Sequence, residues 1–209
     1  MLNFFIILFA ISLIYISVSE RFRTYAKLIA VQGALLMGIA LLELKDGNLA
    51  SLIFVLAETL IFKTIVVPYL LFSIIKRTGV YKVHNKALPP FYSLILALAA
   101  LVLSIVMANV LEHPKIDAVY FTIALFTLFI GVLLVVTHKL IFSHLISFLV
   151  IENAVFMFSM AVGSEMTMLI NIGILLDIFV SVLIISILIN RIGSTFNKLE
   201  ADNLSSLKN

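Results

Sequence analysis

The sequence predicts an all-α, polytopic membrane protein with about seven transmembrane helices. Of its 209 residues, 63% are hydrophobic and only 12% are charged, and the mean hydropathy is +1.24. A soluble domain has about half apolar and about a quarter charged residues. One soluble core cannot hide this much apolar surface, so the predicted solvent of the helices is lipid.

Each of seven apolar stretches is long enough to cross a bilayer as a helix of about 20 residues. The predicted spans cover residues 3–19, 26–43, 50–75, 90–111, 118–136, 141–162 and 167–190. Proline in the first turn marks where the fourth span begins. The first stretch lacks a basic start and a small-residue cleavage site, so it is predicted to be a spanning helix and not a signal peptide.

Basic residues alternate from one connection to the next. Eleven lie in the first, third and fifth connections and after the last span, whereas two lie in the second and fourth. The positive-inside rule therefore predicts an outside N-terminus and a cytoplasmic C-terminus, in a cytoplasmic (inner) cell membrane. The net charge of +3 then reflects topology and contact with anionic lipid, and no nucleic-acid partner is expected.

A single transmembrane domain is predicted over residues 1–196, with a polar cytoplasmic tail at 197–209. Its first and last three helices resemble each other, which predicts parallel repeats at 1–76 and 118–191 joined by a linking helix at 90–111. Transporter folds use parallel as well as inverted repeats and bind at the midplane between them.

Polar residues occupy matching positions in the two repeats. "LIAVQGALLMGIAL" in the second helix aligns with "FLVIENAVFMFSMA" in the sixth, which sets Gln32 opposite Glu152. The next helix of each repeat carries an acid, Glu58 or Asp177, which lies 26 or 25 residues further on. This near-equal spacing is the main evidence for the repeat.

Four ionisable side chains are predicted to form a proton or ion path: Glu58, Lys63, Glu152 and Asp177. An ionised group at the bilayer centre costs from about 2.5 to more than 10 kcal/mol, so all four should face protein or water. Glu58 and Lys63 are about 140° apart around one helix and are not natural partners. We expect Lys63 to pair with an acid of an adjoining subunit, and Glu58 with polar groups inside the bundle.

Smaller residues are predicted to support these charges: Gln32, Thr64, Pro68, Asn153, Ser159, Gly173 and Ser181. Pro68 deprives the Thr64 carbonyl of its helical donor, which predicts a kink in the third helix beside a hydrated site. Gly173 and Ser181 share one helical face with Asp177. A stripe of small residues on the second helix is predicted to be a packing seam: Ala30, Ala34 and Gly38.

Two interpretations of the buried charges stay open. In the first, they take up and release protons, because burial disfavours a carboxylate and a nearby lysine favours it. In the second, they hold helices together by hydrogen bonds worth roughly 0.6–2 kcal/mol each. We favour the first for the four ionisable residues, since neutral amides would join helices at lower cost. For Gln32 we favour the second.

The chain is predicted to bind no cofactor or metal and to have no catalytic centre of its own. It contains no cysteine, which excludes disulfides, thiolate-held zinc and iron–sulfur clusters ligated by this chain. Its four histidines fall in connections or at helix ends, without ligand spacing on one helical face. The sequence has no Gly-rich phosphate loop and no hydrolase constellation.

Three segments resemble the hydrogenase-4 component E family. "AETLIFKTIVVPYLLFSIIKR" resembles its glutamate–threonine, phenylalanine–lysine and proline signature. "FLVIENAVFMF" is similar to its acid–asparagine–glycine segment, and "NIGILLDIFVSVLIISIL" to its terminal helix with a buried aspartate. The resemblance covers nearly the whole chain, with one departure: Ala154 stands where the family pattern has glycine.

That family is similar to the K subunit of respiratory complex I and the C subunit of multi-subunit sodium/proton antiporters. The resemblance implies that Glu152 and Asp177 correspond to membrane glutamates of those subunits, and that Glu58 and Lys63 belong to an extra N-terminal unit. It implies a non-redox membrane-arm subunit of an ion-translocating, group 4 [NiFe]-hydrogenase or formate hydrogenlyase-type complex, which moves protons or sodium.

The resemblance also implies partners of two kinds. Within the membrane arm these are antiporter-like proteins and a protein similar to the H component of complex I, and outside the membrane they are peripheral hydrogenase subunits. Nickel–iron and iron–sulfur centres are expected in those partners. Two alternatives stay open: a purely structural linker in the same membrane arm, and a free-standing small ion transporter.

Overall fold

The computed structural model describes residues 1–43, 59–78, 88–111, 114, 116–138 and 141–163. All of these residues fall within one compact unit, Met1–Thr167. They are helical apart from short connections, and no strand occurs among them. The predicted all-α class is confirmed for this part of the chain.

Where both ends of a predicted span are described, the helix begins and ends close to them, and the predicted start of the third span, residue 50, lies outside the described residues. They are α1 (Leu2–Val18), α2 (Phe22–Glu43), a π-helix (Thr59–Val66), α3 (Val67–Thr78), α4 (Pro90–Val110), α5 (Ala118–Thr137) and α6 (Ile141–Val162). The clearest difference is α2, which starts four residues before the predicted boundary. The predicted span 167–190 and the tail 197–209 lie outside the described residues.

Four of the described helices are long and apolar enough to cross a membrane: α2, α4, α5 and the Ser143–Val162 part of α6. The apolar helix α1 is shorter, at 17 residues. These lengths are those of a membrane protein. The count of seven spans and the orientation stay predictions.

Helix α2 lies at the centre of the described bundle. It packs against α1, the π-helix, α3 and α6, while α5 and α6 share the most extensive interface. Large side chains fill the spaces between these helices, among them Phe9, Leu36, Phe126, Ile130 and Met157. By contrast, α4 packs on α1 and α5 and leaves most of its apolar side chains exposed, which suits contact with lipid.

Close backbone contact explains the tight α5–α6 interface. A Cβ added at Gly131 would lie 2.5 Å from Ile151 Cγ1 and 3.3 Å from the Ser147 carbonyl oxygen. Only glycine therefore lets α6 approach this closely. At one end of the pair, the Asp117 backbone amide donates to the Ala161 carbonyl at 2.8 Å, which ties the start of α5 to the last turn of α6.

Candidate functional site

Lys63 of the π-helix and Glu152 of α6 form a buried ion pair. The Lys63 ammonium lies 3.7 Å from Glu152 Oε1, and the two side chains are only 5% and 6% exposed. The pair lies within one chain, so the predicted pairing of Lys63 with an acid of an adjoining subunit is wrong. The physical expectation behind it holds: a cation at this depth lies against an acid from another helix.

An aromatic ring forms another side of the lysine pocket. The Lys63 ammonium lies 5.0 Å from the centroid of Phe156, within the range of a cation–π contact. Phe156 follows Glu152 by four residues, so one face of α6 presents both the carboxylate and the ring. A desolvated contact of this type contributes about 2 kcal/mol. The pocket thus stabilises the charged form of the lysine in two ways.

A chain of neutral hydrogen bonds begins at the residue beside Glu152. Asn153 Nδ2 donates to Gln32 Oε1 at 3.1 Å, Gln32 Nε2 donates to Ser12 Oγ at 3.2 Å, and Ser12 Oγ donates to the Phe9 carbonyl at 2.7 Å. All these side chains are buried. The chain of bonds links α6 to α2 and α1 near the middle of the two longer helices.

The π-helix aligns Lys63 with this cluster, and Pro68 explains where the π-helix ends. In a π-helix the carbonyl of residue i accepts from the amide of residue i+5. The donor to the Lys63 carbonyl would be the backbone nitrogen of Pro68, but proline has no N–H. The π-helical pattern therefore cannot continue, and the chain returns to α-helix at Val67. The predicted kink assumed α-helical bonding and a deprived Thr64 carbonyl. In the π-helical pattern the withheld donor is that of the Lys63 carbonyl, and the kink stays a prediction.

Gly33 allows α2 to lie directly against the Lys63 backbone. A Cβ at this position would be 2.9 Å from the Lys63 carbonyl carbon, 3.0 Å from its oxygen and 3.1 Å from Thr64 Oγ1. The predicted small-residue seam needs correction for this reason. Of its members, Ala34 is exposed and Gly38 lies against the Phe5 ring, whereas Gly33, outside the predicted seam, makes the close contact with the π-helix.

The predicted site residues divide into four groups. The structure brings Gln32, Lys63, Glu152 and Asn153 together. Ser159 is buried, but its hydroxyl donates to the Phe156 carbonyl within its own helix at 2.7 Å. Thr64 follows Lys63 in the π-helix and lies against Gly33 of α2, and Pro68 is in the first turn of α3. Four predicted residues lie outside the described residues: Glu58, Gly173, Asp177 and Ser181.

Three contributors were missed from the sequence: Ser12, Gly33 and Phe156. Ser12 is one of few hydroxyl residues in a very apolar helix, and that contrast is a usable signal. Gly33 is next to Gln32, and both small and polar residues are enriched where helices meet in membrane bundles. The only sequence signal for Phe156 is that it lies one helical turn after Glu152. Many phenylalanines in this sequence lie one turn from a polar residue, so that spacing does not single it out.

The cluster holds a pair of opposite charges, and its side chains do not form a cation-binding set. Its one carboxylate already faces an ammonium, and no group of three metal-ligating side chains occurs in the described ranges. A carboxylate and an ammonium can exchange a proton, whereas the neighbouring amides donate and accept hydrogen bonds. No family model, no curated protein and no solved structure matches this chain.

Proposed function

We propose that this chain is a non-redox membrane-arm subunit of an ion-translocating oxidoreductase complex of the hydrogenase type, in which the Lys63–Glu152 pair is a step in a charge-transfer path. The observation that supports this best is a buried ion pair midway along apolar helices, next to a chain of hydrogen-bonded amides. The type of complex and its partners come from the motif resemblance alone.

The pair has two forms that differ by the position of one proton. Transfer from the Lys63 ammonium to the Glu152 carboxylate gives a neutral amine and a neutral carboxylic acid. Because a low-dielectric site penalises charge, burial narrows the free-energy gap between these forms. The N–O separation of 3.7 Å exceeds a hydrogen bond, so transfer requires closer approach or a bridging water. Movement of either helix can therefore control the step.

A purely structural role explains the amides better than the ions. Asn153 and Gln32 already join α6 to α2 without charge. Burying an ion costs several kcal/mol, and apolar replacements of buried ion pairs are often neutral or stabilising. A pair kept only to hold helices together would thus be a costly solution, which favours charge transfer.

The test compares the loss of either charge alone with the loss of both charges together. Lys63→Met, Glu152→Gln and the double variant are expressed in the host, and membrane vesicles are prepared from each strain. Two quantities are measured: the amount of assembled complex, and the ions moved per electron transferred by that complex. Ser147→Ala is the matched control, since this buried α6 hydroxyl donates only to the Ser143 carbonyl of its own helix.

We expect the double variant to assemble almost as well as the unaltered protein and to lose coupled ion movement. Assembly that fails in the single variants and returns in the double variant, together with full coupling, would instead establish a structural linker. Isolation of the chain as an active transporter without partner subunits would establish the free-standing alternative. Copurification of a nickel-binding large subunit in mild detergent tests the type of complex directly.

A further inference from the structure

The described charges at the two ends of the bundle differ in sign. Tyr25 joins the start of α2 to His138 after α5, whereas the Tyr120 hydroxyl, near the start of α5, donates to Glu43 at the end of α2 at 2.9 Å. Where α1 leads into α2, the exposed charged side chains are Glu20, Arg21, Arg23 and Lys27. At the opposite end the described ones are Glu43 and Asp117, together with the ammonium of Met1. The end at which α2 starts is called the basic end below.

The exposed side chains of α2 form one narrow stripe, the outer face of α2. Apart from the last residue of the helix, the exposed ones are Arg23, Lys27, Val31, Ala34 and Leu41. At about 100° per residue, these five lie within an arc of about 80° around the helix. Going away from the basic end, the outer face therefore presents two cations first and only uncharged side chains after them.

Lys27 lies inside the apolar span and not beyond its end. It follows Phe22, the first residue of α2, by five residues, which is about 7.5 Å along the helix. The 22 residues of α2 extend about 33 Å, close to the hydrocarbon thickness of a bilayer, about 30 Å. An exposed ammonium at this depth is costly among acyl chains, so the long side chain must extend towards the headgroups.

Two exposed tyrosines indicate the depth of the headgroups at the basic end. Tyr15 is 57% exposed and lies three residues before the end of α1, and Tyr92 is 55% exposed in the first turn of α4. Helix α4 starts at the basic end because only residues 111–117 join its other end to the start of α5. Tyrosine is enriched where membrane meets water. Lipid phosphates are therefore expected at the level reached by Lys27.

We propose that the outer face of α2 binds an anionic phospholipid, with the phosphate at Arg23 and Lys27 and an acyl chain along Val31 and Ala34. Two cations on one face attract a phosphate, and a zwitterionic lipid offsets this attraction with its own cation. Arg23 has five N–H donors, so it can hold a phosphate while it keeps another contact. The apolar continuation of the face favours a lipid over a soluble phosphate. This site does not depend on the proposed function.

A single tryptophan can report which lipid occupies the outer face, because the sequence contains no tryptophan. Val31→Trp places the indole one helical turn after Lys27. The full-length protein is reconstituted in mixtures of phosphatidylcholine and phosphatidylglycerol, in which one or the other lipid carries bromine on its acyl chains. Quenching of the tryptophan fluorescence by each brominated lipid gives their relative affinities for this face, and a free phosphate cannot quench.

Leu98→Trp on α4 is the matched control. Val31 and Leu98 are 47% and 46% exposed, and they follow the first residues of their helices by nine and eight residues. Helix α4 contains no charged residue. We expect Val31→Trp to favour phosphatidylglycerol by about fivefold for each basic residue, the effect of one cation near a membrane surface. Leu98→Trp should show equal quenching by the two lipids.

Substitution of Lys27 then tests the headgroup contact. In the Val31→Trp protein, Lys27→Gln should lower the preference for phosphatidylglycerol about fivefold, and Lys27→Arg should retain it. A preference no greater than that of Leu98→Trp would overturn the proposal. An absence of quenching by either lipid would do the same, since protein would then cover the face. Mass spectrometry of the intact protein without tryptophan is a second measurement: equal retention of phosphatidylglycerol by Lys27→Gln and the unaltered chain would contradict the site.

Discussion

Asn153 donates a hydrogen bond to Gln32 across 3.1 Å, although 121 residues separate them in the sequence. Both side chains are buried, and both lie near the middle of helices that are long enough to cross a membrane. The predicted repeat aligns Gln32 with Glu152, and the observed bond reaches the neighbouring residue. The acid is thereby left to meet Lys63.

Loss of the Gln32 carboxamide should destabilise the bundle. Gln32→Leu removes the acceptor of Asn153 and the donor to Ser12, and a buried polar group left without its partner costs about 1–3 kcal/mol. The free energy of unfolding, measured by detergent titration in mixed micelles, should fall by this amount. Thr127→Val is the control, since its hydroxyl bonds only the Ile123 carbonyl of its own helix. Equal losses in both variants would refute the interhelical role.

A methyl group at Gly33 should separate α2 from the π-helix. The added Cβ would meet the Lys63 backbone at 2.9 Å, and backbone cannot rotate away. We expect Gly33→Ala to destabilise the protein by about 1–3 kcal/mol, as overpacking does. Stability in the same titration is the measurement.

Gly38→Ala provides the comparison on the same helix. Its Cβ would meet only the Phe5 ring, also at 2.9 Å, and a side chain can rotate. Alanine is favoured over glycine in a helix by about 1 kcal/mol, so this variant should be neutral or slightly stabilised. A greater loss of stability in Gly38→Ala than in Gly33→Ala would contradict the difference between a backbone and a side-chain contact.

Either single substitution in the ion pair should be far worse than both together. Lys63→Met or Glu152→Gln removes one charge of the buried pair and leaves the other in place, at a cost of about 3–5 kcal/mol. The double variant should unfold within about 1 kcal/mol of the unaltered protein, or be more stable. Unfolding of all four proteins completes a double-mutant cycle. Strictly additive losses would show that the two charges do not interact.

The start of α5 depends on the side chain of Asp117. Its Oδ1 accepts from the backbone amides of Val119 at 2.8 Å and Tyr120 at 3.1 Å, which satisfies two donors of the first turn. Asp117→Ala should cost about 1 kcal/mol, whereas Asp117→Asn retains the acceptor and should cost little. Unfolding free energies distinguish the two, and a large loss in Asp117→Asn would indicate that charge matters more than capping.

The presence of apolar helices and their approximate lengths and positions could be predicted from composition, because a bilayer requires long apolar helices whatever their neighbours are. The need of Lys63 and Glu152 for polar surroundings followed for the same reason. The π-helix could not be predicted this way. Hydropathy does not distinguish hydrogen bonds that span five residues from those that span four, so the role of Pro68 was considered in an α-helix only.

The sequence by itself determined that this chain forms apolar helices and that a few charged side chains among them must find partners. Only the tertiary structure decided which partners: Glu152 for Lys63, Gln32 for Asn153, and Tyr25 for His138. The free-energy cost of burying a side chain depends on its chemistry and on its depth in the bilayer, and the sequence indicates both. Pairing depends on which helix faces are brought together, and residues such as Gly33 control that through contacts far apart in the chain.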